Sequence, residues 1–235
     1  MNSNLLAGAP HAHDGDSVSR LMGAVLLALL PVTLYGVVLF GWPALNLLMV
    51  TVLACLLGEA GCLWLAGRSM RLGLLDGSAV LTGVLLALSL PPWAPWWIGA
   101  IGGGFAIVVG KQVFGGTGQN IFNPAMLARV MLLVSFPVEM TTWLEPRPWL
   151  SGSAPSFLDG WLITLGHSAM TDGVTGATIL GHVRTELGLN HSLEQILPGH
   201  YQPTLAAVGW TGGSLGETAE MLVLLGGLWL LWRRA

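Results

Sequence analysis

The chain has 235 residues, of which 53% are hydrophobic and only 9% charged, with a mean hydropathy of +0.70 and a formal net charge of −3. A soluble domain carries roughly 25% charged residues, so this composition excludes one and places the chain in lipid. No Lys/Arg-rich run could neutralise a string of phosphates, which excludes nucleic acid as a partner.

Residues 1–20 form an N-terminal tail with Pro10, His11, His13, Asp14 and Asp16. It lacks the basic start and small-residue cleavage site of a secretory signal, so it is expected to stay on the cytoplasmic side. Apolar runs from Leu21 to Trp42 and from Leu45 to Gly67 are each long enough to cross the roughly 30 Å hydrocarbon core, and the Gly41-Trp42-Pro43 turn makes them a hairpin. A third run, Ser78 to Leu90, is short and is stopped by Pro91, Pro92 and Pro95. A fourth extends from Trp96 to Phe114 around Gly102-Gly103-Gly104, and a fifth from Ile121 to Pro137. These five segments make residues 21–137 a membrane domain. Residues 138–210 are the chain's polar insert, and residues 211–235 hold a sixth segment, Leu215 to Trp232.

If all six segments traverse, Arg20, Arg68, Arg71, Lys111, Arg233 and Arg234 fall on one side, which the positive-inside rule makes the cytoplasm. The insert, with six acidic residues against Arg147 and Arg184, then faces the periplasm of a bacterial inner membrane. The expected fold is all-α and polytopic, with about six transmembrane or re-entrant helices. A short third span broken by prolines and a Gly-rich entry to the fifth suit a broken-helix, inverted-repeat design.

An isolated charge in hydrocarbon costs about 2.5–3.5 kcal/mol on insertion scales, so Glu59, Arg129, Glu217 and Glu220 should face a cavity, another helix or the interface. Glu59 and Arg129 are the best candidates for a buried pair or an ion path. Glu217 and Glu220 are read in the first turns of the last helix, where acidic residues suit the dipole, and Glu217 is kept as a third ion-path candidate. Cys55 and Cys62 sit roughly 10 Å apart along one helix at about 1.5 Å per residue, too far for an intrahelical disulfide. They are read as small helix residues. The six histidines are scattered and make no metal motif, so no metal is expected.

The most informative stretch is Asp172-Gly173-Val174-Thr175-Gly176-Ala177-Thr178, inside the insert. It resembles the acceptor signature recognised by flavin transferases, which join FMN through its phosphate to the hydroxyl of the final residue. That resemblance makes Thr178 the FMN acceptor, with Asp172, Thr175, Gly176 and Ala177 as the recognition residues. Gly176 and Ala177 leave room for a bulky phosphate to approach the backbone. The plain alternative is a Gly/Thr loop in which Asp172 caps the following turn.

Two further stretches, Gly115-Gly116-Thr117-Gly118-Gln119-Asn120-Ile121-Phe122-Asn123-Pro124-Ala125 and Gly213-Ser214-Leu215-Gly216-Glu217-Thr218, resemble segments of the D-type component of the Rnf complex and the related B-type component of the sodium-pumping NADH:quinone reductase. The Pro10-His11-His13 and Ser17-Val18-Ser19-Arg20 start is similar to the D-type component, and the likeness runs over nearly the whole chain. It implies a membrane component of an ion-translocating ferredoxin:NAD oxidoreductase complex. Such a component relays electrons coupled to Na⁺ or H⁺ transport and is not catalytic alone. The implied partners are the other Rnf components, especially a periplasmic FMN-bearing G-type protein and a soluble-facing C-type protein, together with a flavin transferase and the bilayer. Asn120 and Asn123, with Pro124 at a helix start, suit a second, non-covalent flavin, riboflavin or FMN; capping of the fifth helix is the plainer role. Members of this family continue past the sixth span, so the chain is expected to be truncated after it. Asn123-Pro124-Ala125 is also similar to a triplet that aquaporins carry twice, which keeps a solute channel or transporter as the alternative from another class. A quinone-reducing B-type component is the nearest alternative within the family.

Overall fold

The computed structural model describes residues 17–149, 151–167, 179–189, 209–210, 212–217 and 220–233. Ten α-helices and one 3-10 turn occur among them, with no strand: α1 Val18–Phe40, α2 Trp42–Leu65, α3 Met70–Leu74, α4 Ser78–Ser89, α5 Trp96–Val108, the 3-10 turn Gln112–Phe114, α6 Pro124–Ser135, α7 Pro137–Thr141, α8 Phe157–Thr164, α9 Ile179–Gly188 and α10 Glu220–Arg233. Among the described residues three segments are long and apolar enough to cross a membrane, Val18–Phe40, Trp42–Leu65 and Trp96–Phe114, while α4 and α6 are shorter apolar helices. The protein is an all-α, polytopic integral membrane protein.

The hairpin expected at residues 41–43 is present. α1 ends at Phe40, Gly41 takes φ +74°, a conformation glycine adopts without a Cβ penalty, and Pro43 sits in the first turn of α2, where its missing N–H costs nothing. The far end of α2 closes with Gly67 at φ +62° and Arg68 N–H donating back to the Leu63 carbonyl. α4 ends one residue before Leu90, whose backbone is extended and leads into the prolines.

Glycine sets how closely the spans approach. A Cβ at Gly103 of α5 would lie 2.9 Å from the Thr51 carbonyl oxygen of α2, and one at Gly83 of α4 would lie 2.8 Å from the Val52 Cα. Backbones that close gain dispersion contact in a solvent where lipid tails compete equally for apolar side chains. α5 therefore lies between α2 and α6, and α10 packs along α1. Leu27, Leu30, Leu34, Leu53 and Leu57 point outward, as a lipid-facing surface requires.

The described parts of the polar insert are fastened at the Gly41 end. Trp149 N–H donates to the Val38 carbonyl, and Trp42 meets Trp149 and Phe157 edge-on at 4.4 and 5.0 Å. Asn46 and Thr164 are hydrogen-bonded at 3.4 Å, and Trp93 Nε1 donates to the Phe40 carbonyl. The opposite end gathers other chain segments: Ser19 Oγ donates to the Leu75 carbonyl and Arg68 Nη1 to the Gly115 carbonyl.

Two boundaries differ from the sequence expectation. The fifth segment becomes helical at Pro124 because the Asn123 side chain caps it. Among the described residues the last α-helix starts at Glu220, and residues 212–216 form a strap without α-helix that ends in Glu217, which has 3-10 conformation. Leu215 N–H donates to the Leu90 carbonyl and Gly216 N–H to the Leu88 carbonyl. Non-helical backbone at this depth needs protein partners; the broken end of α4 and the strap supply them to each other. Glu217 thus sits at the end of the strap, three residues ahead of Glu220, the first described residue of α10.

Candidate functional site

At the end of the molecule away from Gly41, α2, the start of α4 and the Gly-rich loop after α5 converge on one polar cluster. Glu59 is 2% exposed and Lys111 is equally buried; Lys111 Nζ donates to Glu59 Oε2 at 2.9 Å and to Ser78 Oγ at 2.6 Å. Gln112 Nε2 donates to Glu59 Oε1 at 2.6 Å. Asp76 Oδ1 accepts from Ser78 N–H and Oγ, and its Oδ2 accepts from Thr117 Oγ1 at 2.9 Å. Partial burial on its own raises an aspartate pKa; the bonds from Ser78 and Thr117 and the Lys111 charge outweigh it and hold the Asp76 carboxyl below its usual range.

Burying one carboxylate or one ammonium alone is costly, whereas a hydrogen-bonded pair is tolerated. This settles the expected pairing of Glu59 with Arg129 differently: Lys111 is the partner of Glu59. The sequence alone places Lys111 as a cation at the membrane surface, because it adjoins the Gly-rich loop. The signal for its burial is its isolation in an apolar stretch, matched by the equally isolated Glu59. Gly115, Gly116 and Gly118 take φ values of +114°, +105° and +85°, and this left-handed path returns Thr117 to Asp76.

Arg129 lies at the other level of the fold, in a cleft of about 340 Å³ between α1, α4, α6, the strap and α10. Its Nη1 donates to the Ser89 carbonyl at the C-terminal end of α4, where the helix dipole favours a cation. Glu217 lines the same cleft, and its Oε2 accepts from Ser214 N–H and Oγ, both at 3.3 Å. Two of the residues singled out in the sequence therefore share one opening, away from Glu59.

Asn123 Oδ1 accepts from Ala125 and Met126 N–H at 3.0 and 3.4 Å, and Asn120 Nδ2 donates to the Phe122 carbonyl at 2.9 Å. Capping is thus part of the Asn123 role. Ile121 and Phe122, between them in the chain, are exposed. Cys55 is buried, with Sγ 3.6 Å from the Gly103 carbonyl, and no His/Cys/Asp/Glu group among the described residues could hold a metal. Asp172, Thr175, Gly176, Ala177 and Thr178 lie outside the described residues; the first helical residue after them is Ile179.

The sequence model of the NQR2, RnfD, RnfE family matches residues 5–235. The chain is 58% identical over 216 residues to a Stutzerimonas stutzeri protein, covering 92% of this chain and 61% of that one. It is 55% identical over 232 residues to one from Halorhodospira halophila, covering 99% and 65%. To a Rhodobacter capsulatus protein it is 47% identical over 222 residues, covering 94% and 62%. All three relatives are named as the D-type component of an ion-translocating oxidoreductase complex. The chain spans 61–65% of the length of these curated relatives.

Proposed function

This chain belongs to the NQR2, RnfD, RnfE family, and from that premise we propose that it is the membrane component of an ion-translocating ferredoxin:NAD oxidoreductase complex, carrying FMN as a phosphoester on Thr178. The observation that carries the reading is the Asp172–Thr178 heptad within a chain whose relatives are components of ion-translocating oxidoreductases. Thr178 supplies the ester oxygen, and Gly176 and Ala177 leave the approach open. FMN supplies electron transfer in single steps when bound, and the protein positions and tunes it.

The membrane is the bacterial inner membrane, with the N-terminus cytoplasmic and residues 138–210 periplasmic. Support comes from the gathering of Ser19, Arg68 and the Gly-rich loop at one end and of the insert's described anchors at the other. Glu59 is the ion-path residue in this proposal, because it is a buried carboxylate within the membrane helices, paired with Lys111. A second, non-covalent flavin is assigned to Asn120 and Asn123, which flank the exposed Ile121 and Phe122 in the chain. The partners are the other Rnf components, with the G-type protein meeting the periplasmic insert and the C-type protein on the soluble side.

The test is in-gel fluorescence of the denatured full-length protein, expressed with and without a flavin transferase. A flavin band that requires both the transferase and Thr178 supports the reading, and a band absent under all conditions contradicts it.

A further inference from the structure

We propose that the groove between α1, α4 and α10 holds an acyl chain of one anionic phospholipid, whose phosphate sits between Arg20 and Arg233. The lipid staples the first turn of α1 to the last turn of α10. The site stands on the groove alone, whichever side of the membrane that end faces.

Two close approaches fix how these helices run. A Cβ on Gly36 of α1 would lie 2.5 Å from the Leu215 carbonyl oxygen of the strap, and one on Gly226 of α10 would lie 2.6 Å from the Ala28 carbonyl oxygen of α1. The contacts climb one chain as they descend the other, so α10 is antiparallel to α1. From the Ala28–Gly226 approach, Arg20 lies about 12 Å toward the start of α1 and Arg233 about 10 Å toward the end of α10, at about 1.5 Å per residue. The two arginines therefore stand at one level, and both line a groove of about 620 Å³.

Away from the arginines the groove is apolar. Leu26, Leu27 and Leu30 of α1 and Val84 of α4 line it, and Leu27 and Leu30 are 58% and 48% exposed. Gly23 keeps it open, since a Cβ there would meet nothing within 4 Å. Thr33 lines the far end, where its hydroxyl donates to the Leu29 carbonyl at 2.9 Å and has no second proton for a headgroup. From Arg20 to Thr33 is about 20 Å along the axis, the depth of one leaflet with its headgroups, about half of 40–45 Å. An acyl chain fits that length with its polar end at the arginines.

Charge selects the headgroup. The charged side chains among the described residues that line the groove are both arginines. Arg233 Cζ lies 5.2 Å from the centroid of the Trp229 ring, which holds the guanidinium where indole rings anchor to a membrane surface. Guanidinium groups bind phosphate through charge-assisted hydrogen bonds. The ammonium of phosphatidylethanolamine would add a third cation beside the two arginines, whereas the glycerol of phosphatidylglycerol adds none. Basic residues near a membrane surface favour anionic lipid by about fivefold each.

The experiment uses the full-length protein in nanodiscs of phosphatidylglycerol and phosphatidylethanolamine in equal amounts with matched acyl chains, and bound lipid is counted by native mass spectrometry. Wild type is compared with Arg20→Gln, Arg233→Gln, the double variant and Gly23→Leu. Wild type should retain one phosphatidylglycerol that the double variant loses, and each single Gln variant should lower its occupancy about fivefold, with retained phosphatidylethanolamine unchanged. Gly23→Leu should expel the same lipid while leaving the unfolding midpoint in detergent no lower, because the leucine enters open space and favours helix. Wild type should unfold at a higher temperature in phosphatidylglycerol than in phosphatidylethanolamine, an increment that the double variant lacks. Equal phosphatidylglycerol retention in wild type and the double variant overturns the arginine assignment, and a lipid that survives Gly23→Leu overturns the groove as its seat. A lowered detergent midpoint in Gly23→Leu also overturns the proposal, because a protein segment then fills the groove in place of lipid.

Discussion

The Glu59–Lys111 cluster and the Arg129–Glu217 cleft each bring acidic and basic side chains together inside an apolar protein, yet they are satisfied to different degrees. In the cluster both Glu59 oxygens are hydrogen-bonded, Lys111 has two partners and Asp76 is held by Ser78 and Thr117. In the cleft Arg129 meets a single carbonyl among the described residues, and Glu217 is held there only by its neighbour Ser214. A closed network fixes backbone, whereas a network with spare donors and acceptors has capacity for a ligand. One locks the Gly-rich loop to α2 and α4; the other keeps polar groups without a partner among the described residues.

The largest effect should come from breaking the closed network. Lys111→Met strands a buried carboxylate and should destabilise the full-length protein by about 3–5 kcal/mol, read as a lower unfolding midpoint in detergent. Adding Glu59→Gln to Lys111→Met should recover much of that loss, since no unpaired charge remains at Glu59. Equal loss in the single and double variants would show that packing, and not charge, sets the cost.

Next in size, Gly36→Ala puts a methyl group against the Leu215 carbonyl and should cost about 1–3 kcal/mol by overpacking. It should disturb the strap and leave Lys111 protected, which hydrogen exchange resolved by peptide can report. Loss of protection around Ser78 and Thr117 would mean the two regions are coupled.

Asn123→Ala removes the cap of α6 and should cost about 1 kcal/mol, again read from the unfolding midpoint. Asn123→Asp should retain most of the stability, because its side chain accepts the same two N–H groups.

The smallest effect is on acidification. Asp76 has a folded pKa below its ordinary value, so the stability it contributes is complete above the ordinary carboxylate range and is lost as pH falls through the lowered folded value. Asp76→Asn should flatten that acid limb of the pH–stability profile. An unchanged limb would place the acid sensitivity in other carboxylates.

Much of this is readable in the sequence, for identifiable reasons. Gly41 and Pro43 mark the hairpin because one supplies positive φ and the other needs no N–H donor. Pro91, Pro92 and Pro95 mark the break after α4 for the same kind of local reason. Asn123-Pro124 marks the start of α6, although the apolar run misleads by beginning earlier, at Ile121. What local pattern misses is long-range. Leu215 looks like the start of the last helix because nothing nearby in the chain shows that the Leu215 and Gly216 N–H groups reach the Leu90 and Leu88 carbonyls. Lys111 looks like a surface cation because its partner lies 52 residues away in α2. Arg129 and Glu217 stand out as charges needing a cavity, while their sharing one is a property of the packed helices.

The most direct measurement is peptide mass spectrometry of the full-length protein expressed with an active flavin transferase, following the peptide that contains Thr178. An FMN increment on that peptide, absent from Thr178→Ala and from protein made without the transferase, is the predicted result. An unmodified Thr178 peptide from protein made beside a transferase that flavinylates a control substrate would contradict it.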